Sequence, residues 1–470
     1  MQLTKPRSAG VALGIAQLAA GLFAAGASAA HAQSAPTPAS DDSFYSQGRD
    51  PGQSRADAAV LVYQEAGGRV RAIEPAINAT FQSTDNSILS IGLVADTLTG
   101  ASPNGATPAN QTQTFLTPLK AVGSSTTVTS ASGGSQVVQL PPTPGQIAAA
   151  ALYGRQYTTD PGKLPVDPGF HDQRFAANIG YSQPVGRLSR AGLGFAYSEE
   201  HDFRAISGNA NVSRDFNSRN TTLSLAVNFE FDTSFPYGGT PTPFTEMSAQ
   251  IKGPNQTRHV ADGVFGLTQI MSRNWLVQLN YSYGISKGYQ TDPYRIISVV
   301  DQNSGEPLKY LYESRPDNRV RQSVYLENKM ALGPQTFDLS GRYFWDDWGI
   351  RSTTLDLADR IALGPVFYIQ PHVRWYHQSE ANFFRPYLVS GQALPQYASS
   401  DTRLGAFSAL TLGTKVGVKV TSTSEFYVRG EYYRQSGDGH PPGVFGQLAQ
   451  QNLFAGVSAI SGTVGYTLNF

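Results

Sequence analysis

Apolar side chains fall on every second position through segment after segment of this chain. In TTLSLAVNFEFD, Leu223, Leu225, Val227, Phe229 and Phe231 alternate with Ser224, Ala226, Asn228, Glu230 and Asp232. In NWLVQLNYSYGIS, Trp275, Val277, Leu279, Tyr281, Tyr283 and Ile285 alternate with Leu276, Gln278, Asn280, Ser282, Gly284 and Ser286. QTFDLSGRYFW and SEFYVRGEYYR repeat the pattern, and SGTVGYTLNF carries it through Val464, Tyr466, Leu468 and Phe470. A period of two predicts strands, and these run well past the usual five or six residues. Less regular versions lie near 55–66, 69–82, 87–99, 171–183, 188–200, 203–216, 257–270, 319–331, 351–362, 366–379 and 402–419, giving about 16 strands in all.

Short polar breaks near 83–86, 184–187, 217–219, 272–273, 333–334, 364–365 and 421–423 separate strand pairs. Between them fall longer connections at about 100–170, 233–256, 290–318, 380–401 and 437–451, with three tight ones at Gly67-Gly68, near Glu200–Asp202 and at WDDWG. This alternation places the two sets at opposite ends of an up-and-down antiparallel sheet. One face is almost free of charge over the length needed to cross a bilayer. A sheet in lipid must close on itself to pair every backbone group. The expectation is an all-β transmembrane up-and-down antiparallel β-barrel, with short periplasmic turns and long extracellular loops, in the bacterial outer membrane.

The first 32 residues read differently. Lys5 and Arg7 precede an apolar Ala- and Leu-rich stretch that ends in Ala30-His31-Ala32, the form of a secretory signal peptide cleaved near Ala32. The expected organisation is a signal peptide at 1–32, a linker at 33–54 and the barrel at 55–470. The chain has no cysteine, which excludes disulfides and thiolate metal sites. Its 35 basic and 35 acidic residues balance, and loss of Lys5 and Arg7 leaves two more acids than bases. Such neutrality speaks against a nucleic-acid partner. The expected surroundings are outer-membrane lipid and the barrel-assembly machinery.

Phe470, with Tyr466 and Leu468 on the same face, resembles the assembly signal of outer-membrane barrels from Gram-negative bacteria. The phrases SRADAAVLVYQEAGGRVRAIEP, DTLTGASPNGA, SRDFNSRNTTLSLAVNFEFD and GGTPTP resemble an uncharacterised family of proteobacterial outer-membrane β-barrel proteins, a domain of unknown function. The resemblance covers the mature chain and implies a barrel without a known activity. It also implies an envelope setting with a small lipoprotein or redox partner. The Ser/Thr/Gly-rich insert at 123–136 is longer than the family pattern.

The polar parity places charges of both signs in the lumen: Glu74, Arg174, Glu230, Arg321, Lys329, Asp338, Arg342, Asp356, Arg360, Arg374, Lys415, Arg429 and Glu431, with His372 beside Arg374. Two readings stay open, a charged constriction that selects solutes and a mutually neutralised ladder along the wall. The long 100–170 connection poses a similar choice: its apolar stretch at 147–153 folds into the lumen as a strap, or the whole loop stays at the surface.

No Gly-x-Ser-x-Gly elbow, His-Glu-x-x-His pair or Gly-rich phosphate loop occurs, so no enzyme and no cofactor is expected. YSEEHDF sets carboxylates around His201 that could bind a divalent cation, but an exposed charged loop is the reading taken and no metal site is expected. WDDWG offers Asp346 and Asp347 without further calcium ligands at the right spacing, and reads as a solvated turn between girdle tryptophans. The resulting expectation is a porin-like channel for small polar or ionic solutes. The alternative is a non-conducting sheath or scaffold barrel that holds a lipoprotein or redox partner in an envelope complex, and an outer-membrane enzyme is the least favoured of the three readings.

Overall fold

The computed structural model describes residues 54–117, 125–129, 135–139 and 155–470, except 237, 250 and 251. The expected leader at 1–32, the linker up to residue 53 and the stretch at 147–153 lie outside the described residues.

Sixteen strands form one closed barrel. They are β1 (Arg55–Glu65), β2 (Arg71–Gln82), β3 (Ile88–Pro103), β4 (Val166–Val185), β5 (Ser189–Glu199), β6 (Phe203–Phe216), β7 (Thr221–Ser234) and β8 (Gln256–Ser272). The second half comprises β9 (Trp275–Gly288), β10 (Asn318–Leu332), β11 (Gln335–Asp346), β12 (Arg351–Leu363), β13 (Phe367–Gln378), β14 (Phe407–Lys419), β15 (Ser424–Gly437) and β16 (Val457–Asn469). Each pairs antiparallel with its neighbours in chain order, and β1 pairs with β16 through Ala58↔Tyr466, Val60↔Val464 and Val62↔Gly462. Sixteen strands spaced by about 4.8 Å and tilted by roughly 40° enclose a ring about 30 Å across.

The polarity is inside out for a protein in water. Leu193, Phe229 and Ile460 on the outer face are 69%, 55% and 62% exposed, while Asn228, Glu230 and Asp232 on the inner face of β7 are buried. Leaving one such Leu or Phe in water forgoes about 1.5–3 kcal/mol, and they ring the barrel. Only lipid makes that face favourable. Among the described residues no helix is long and apolar enough to cross a membrane, so the crossing is made by strands.

Phe470 lies on the seam. Ser54 and Phe470 exchange backbone bonds of 2.7 and 2.9 Å, and the Phe470 ring meets Phe81 edge-on at 6.2 Å. Tyr466 and Leu468 share its outer face.

On the inner face, glycine lets aromatic rings lie flat. Tyr368, Gly417, Tyr427 and Gly465 form one row across β13 to β16. A Cβ on Gly417 would stand 2.1 Å from the Tyr368 ring, and one on Gly465 would stand 2.3 Å from Tyr427. Pro371, which has no N–H, leaves a gap in the β12–β13 ladder between Ala358↔His372 and Ile361↔Ile369.

Four strand boundaries differ from the sequence reading. β3 continues to Pro103, and β4 begins at Val166. β14 starts at Phe407, not near 402, because Thr402–Leu404 form a 3-10 turn capped by the Asp401 side chain. β16 starts at Val457, although the alternation of side chains in the sequence runs from Phe470 back to Phe454.

Candidate functional site

The inner wall is built strand by strand from the polar parity, and cross-strand register decides which charges meet. Arg174 on β4 reaches Asp96 on β3 at 2.6 Å and Glu74 on β2 at 3.7 Å. Arg258 on β8 holds Asp232 at 2.6 Å and Glu230 at 3.9 Å, both on β7. Arg321 meets Asp262 at 3.1 Å, and Lys329 lies 2.9 Å from Glu327 and 3.0 Å from Asp338. His372 bridges Asp356 and Glu431, each at 3.0 Å, while Arg374 stands 3.8 Å from Asp356. Arg429 lies beside Glu431. Near the turn end, Arg360 pairs with Glu425 at 3.4 Å and stacks 3.7 Å over the Tyr368 ring; Lys415 sits 4.1 Å over Tyr427.

Every carboxylate expected in the lumen therefore has a cation. Arg342 on β11 differs. Among the described residues no carboxylate lies within ion-pair distance of it, and its guanidinium stands 6.0 Å from the centre of the Phe344 ring. The charges that bear on it from the wall include those of Arg374 and Arg321.

Sequence parity missed the partners Asp96, Arg258, Asp262, Glu327 and Glu425. All lie at inward positions of their strands, so parity alone would have found them. Which of them pair depends on a stagger between strands that composition does not reveal.

The second feature stands at the long-loop end. Ile296–Val300 pairs antiparallel with Pro307–Tyr312 and parallel with Leu388–Val389, making a small sheet above the barrel. Ile297, Val299, Leu311, Leu388 and Ala398 form its core. A second core joins Ala106, Phe115, Tyr157, Met247, Ile296 and Tyr312.

Hydrogen bonds tie the loops together. The Thr107 amide donates to Ser298 Oγ at 3.0 Å, and Ser400 Oγ donates to the carbonyls of Gly105 and Ile296 at 2.7 and 2.9 Å. Gln447 accepts from the Asn110 amide at 2.8 Å and donates to the Gly305 carbonyl at 3.0 Å. These loops follow β3, β9, β13 and β15, which stand far apart around the ring. Loops rooted so widely can all meet only across the mouth, so they form a cap. The opposite end carries tight turns.

The cap buries charge. From the loop after β9 come Asp292, Arg295, Glu313 and Arg315; from the loop after β13 come Asp401 and Arg403. Arg315 lies 2.6 Å from Glu313 and 2.9 Å from Asp401, and Arg403 lies 2.5 Å from Asp401 and 2.9 Å from Asp292. Burial alone would raise Asp401, but Arg403, Arg295 and Arg315 hold its carboxyl well below the usual range. Glu313 goes the other way: burial pushes it up despite Arg315.

The two candidate cation motifs resolve differently. Asp172, Glu200 and Asp202 bring carboxylate oxygens within 4.8 Å of one another, without His201, and Tyr294 hydrogen-bonds Asp202. In WDDWG the acids are engaged by the protein: Asp346 pairs with Arg319 at 2.6 Å, and Asp347 accepts from the Val320 amide at 2.9 Å. Trp348 is not a girdle residue. It is 4% exposed and packs with Ile350, Ala381, Phe383 and Leu404 beneath the cap, its indole N–H donating to the Asn318 carbonyl at 2.8 Å.

The fold and its polarity define an outer-membrane-type β-barrel. Residues 23–468 match the family model described as "Protein of unknown function (DUF3570)", and the chain belongs to that family. No curated protein matches the sequence. Solved structures similar in fold include CdiB from Acinetobacter baumannii (10% identity, TM-score 0.43, covering 90% of this chain and 61% of that one). A bacterial polysaccharide outer membrane secretin shares 7% identity at TM-score 0.42, covering 90% of this chain and 100% of that one. A TodX monoaromatic hydrocarbon channel mutant shares 11% at TM-score 0.37, covering 90% and 91%. The chain thus spans about three fifths of the length of CdiB.

Proposed function

We propose that this protein is a channel of the bacterial outer membrane for small polar or ionic solutes, exported by its leader and oriented with the long-loop end outward. One observation carries the reading: a closed sixteen-strand wall, apolar outside, with charged and polar side chains lining the inside. Barrels of this strand number leave an aqueous lumen. The cap restricts its outer mouth, while the tight turns frame the periplasmic end. Swelling of proteoliposomes in isotonic solutions of graded sugars and amino acids tests this. Entry of the small solutes with a sharp size limit supports a channel, and no swelling with any solute contradicts it.

A second reading is favoured by the cap itself. A barrel closed outside and framed by turns inside is also suited to sheathing a periplasmic partner, such as a small lipoprotein or redox carrier. That partner would enter from the turn end, and the barrel alone would not conduct.

A further inference from the structure

We propose that Arg342 is the anchor of a binding site in the lumen for a small oxyanion, a carboxylate or a phosphate. The proposal deepens the channel reading by naming the solute class that the wall recognises. Four observations converge on it.

First, Arg342 is exposed inside the barrel, on the inner parity of β11, where the only solvent is that of the lumen. Second, the acids on the surrounding wall are already held: Glu327 by Lys329, Asp356 by His372 and Arg374, Asp262 by Arg321, and Asp346 by Arg319 at 2.6 Å. Third, the register surrounds it with neutral hydroxyl side chains. Arg342 faces Tyr325 on one side and Thr354 on the other, and Thr354 faces Tyr376. Fourth, Arg321 and Arg374 add like charge from the flanking strands.

A guanidinium among like charges with no carboxylate is unfavourable unless something negative arrives. Arg190 on β5 also stands on the inner face without an acid, but its guanidinium is taken up by Ser182 and the Asn86 carbonyl, and Lys415 lies over tyrosine rings; Arg342 has neither. The planar fork of arginine pairs best with planar or tetrahedral oxyanions, through two parallel N–H···O bonds. A wall charge facing a lumen bounded by low-dielectric strands acts more strongly than one in open water. The site would thus hold a small oxyanion on its way through.

The test uses the full mature chain refolded in detergent micelles, with folding verified by heat-modifiable gel migration. Equilibrium dialysis measures binding of inorganic phosphate and, separately, of succinate. Three variants accompany the wild type. Arg342→Gln removes the anchor. Thr354→Asp keeps Arg342 and gives it a carboxylate directly across the register. Arg204→Gln removes one charge from an exposed position at the loop end, where Arg204 pairs with Glu199. Saturable binding of either probe by the wild type and Arg204→Gln, weakened roughly tenfold or more in both lumen variants, supports the site, and the ratio of the two probes identifies the oxyanion. Equal binding in Arg342→Gln and wild type, or no saturable binding of either probe by the wild type, overturns it. Should one lumen variant fail to fold, the other decides. Chloride current through planar bilayers, with and without added phosphate, separates the two claims. A barrel that binds phosphate but passes no current keeps the site and removes the channel reading.

Discussion

Arg315 donates to Asp401 at 2.9 Å, joining a loop that follows β9 to one that follows β13, with both side chains almost wholly buried. The bond belongs to a network of three acids and three guanidiniums (Asp292, Glu313, Asp401, Arg295, Arg315 and Arg403) that locks the cap over the barrel. Removing one member leaves the others charged and buried. Asp401→Ala should therefore destabilise the cap by about 3–5 kcal/mol, while the barrel, held by its own ladders, keeps its fold. Hydrogen exchange should then accelerate in 289–317 and 379–406 and remain slow in β7 and β8. Uniform acceleration would mean that cap and barrel unfold together.

The same network sets a pH dependence of definite sign. Asp401 is held below its ordinary range, so its contribution is present at neutral pH and lost only as pH falls through that depressed value. Glu313 is pushed up, so the folded cap binds its proton more tightly than the unfolded loop does, and its charge is a cost at neutral pH. Acidifying from neutrality should first leave cap protection unchanged or improved, and reduce it only in strong acid. Glu313→Gln should remove the improvement. Limited proteolysis of the loops against pH reads both, and steady loss of protection from neutrality downward would contradict the assignment.

Facing is testable at adjacent residues. Leu339 points to lipid and Ser340 to the lumen, where Glu327 and Asp356 are its cross-strand neighbours. Leu339→Arg should cost about 2–4 kcal/mol near mid-membrane, whereas Ser340→Arg should be far milder. Urea unfolding of both variants in lipid vesicles decides, and equal losses would reverse the parity.

The tyrosine-over-glycine row gives a packing prediction. Gly417→Ala would drive a methyl into the Tyr368 ring and should destabilise the barrel by about 1–3 kcal/mol. Gly430 has nothing within 4 Å of its added carbon, so Gly430→Ala should leave the urea midpoint unchanged. Similar midpoints for the two variants would mean that the ring yields.

Much of this fold was legible because a barrel in lipid obeys one rule along each strand. Leu225, Phe229 and Phe231 had to share a face, and Asn228 and Glu230 had to share the other. Alternating short and long breaks then fixed which end was which. Ion pairs were less legible: Arg174 and Asp96 lie 78 positions apart, and only the stagger between β3 and β4 brings them within reach. The cap was not legible at all. Ile296–Val300 (IISVV) is buried on both sides, four apolar residues about one serine, with no alternation to mark it within a connection read as loop. Trp348 was misread for a related reason, since a tryptophan at a strand end suits both a membrane girdle and a cap core.

The central claim is a conducting lumen narrowed by the cap, and single-channel recording in planar bilayers tests it most directly. The refolded wild type should give discrete steps, and the Arg315→Ala/Asp401→Ala double variant should give larger ones, since unlocking the two loops widens the narrowest passage. Absence of current through both proteins, each verified as folded and inserted, would contradict the channel and leave the sheath.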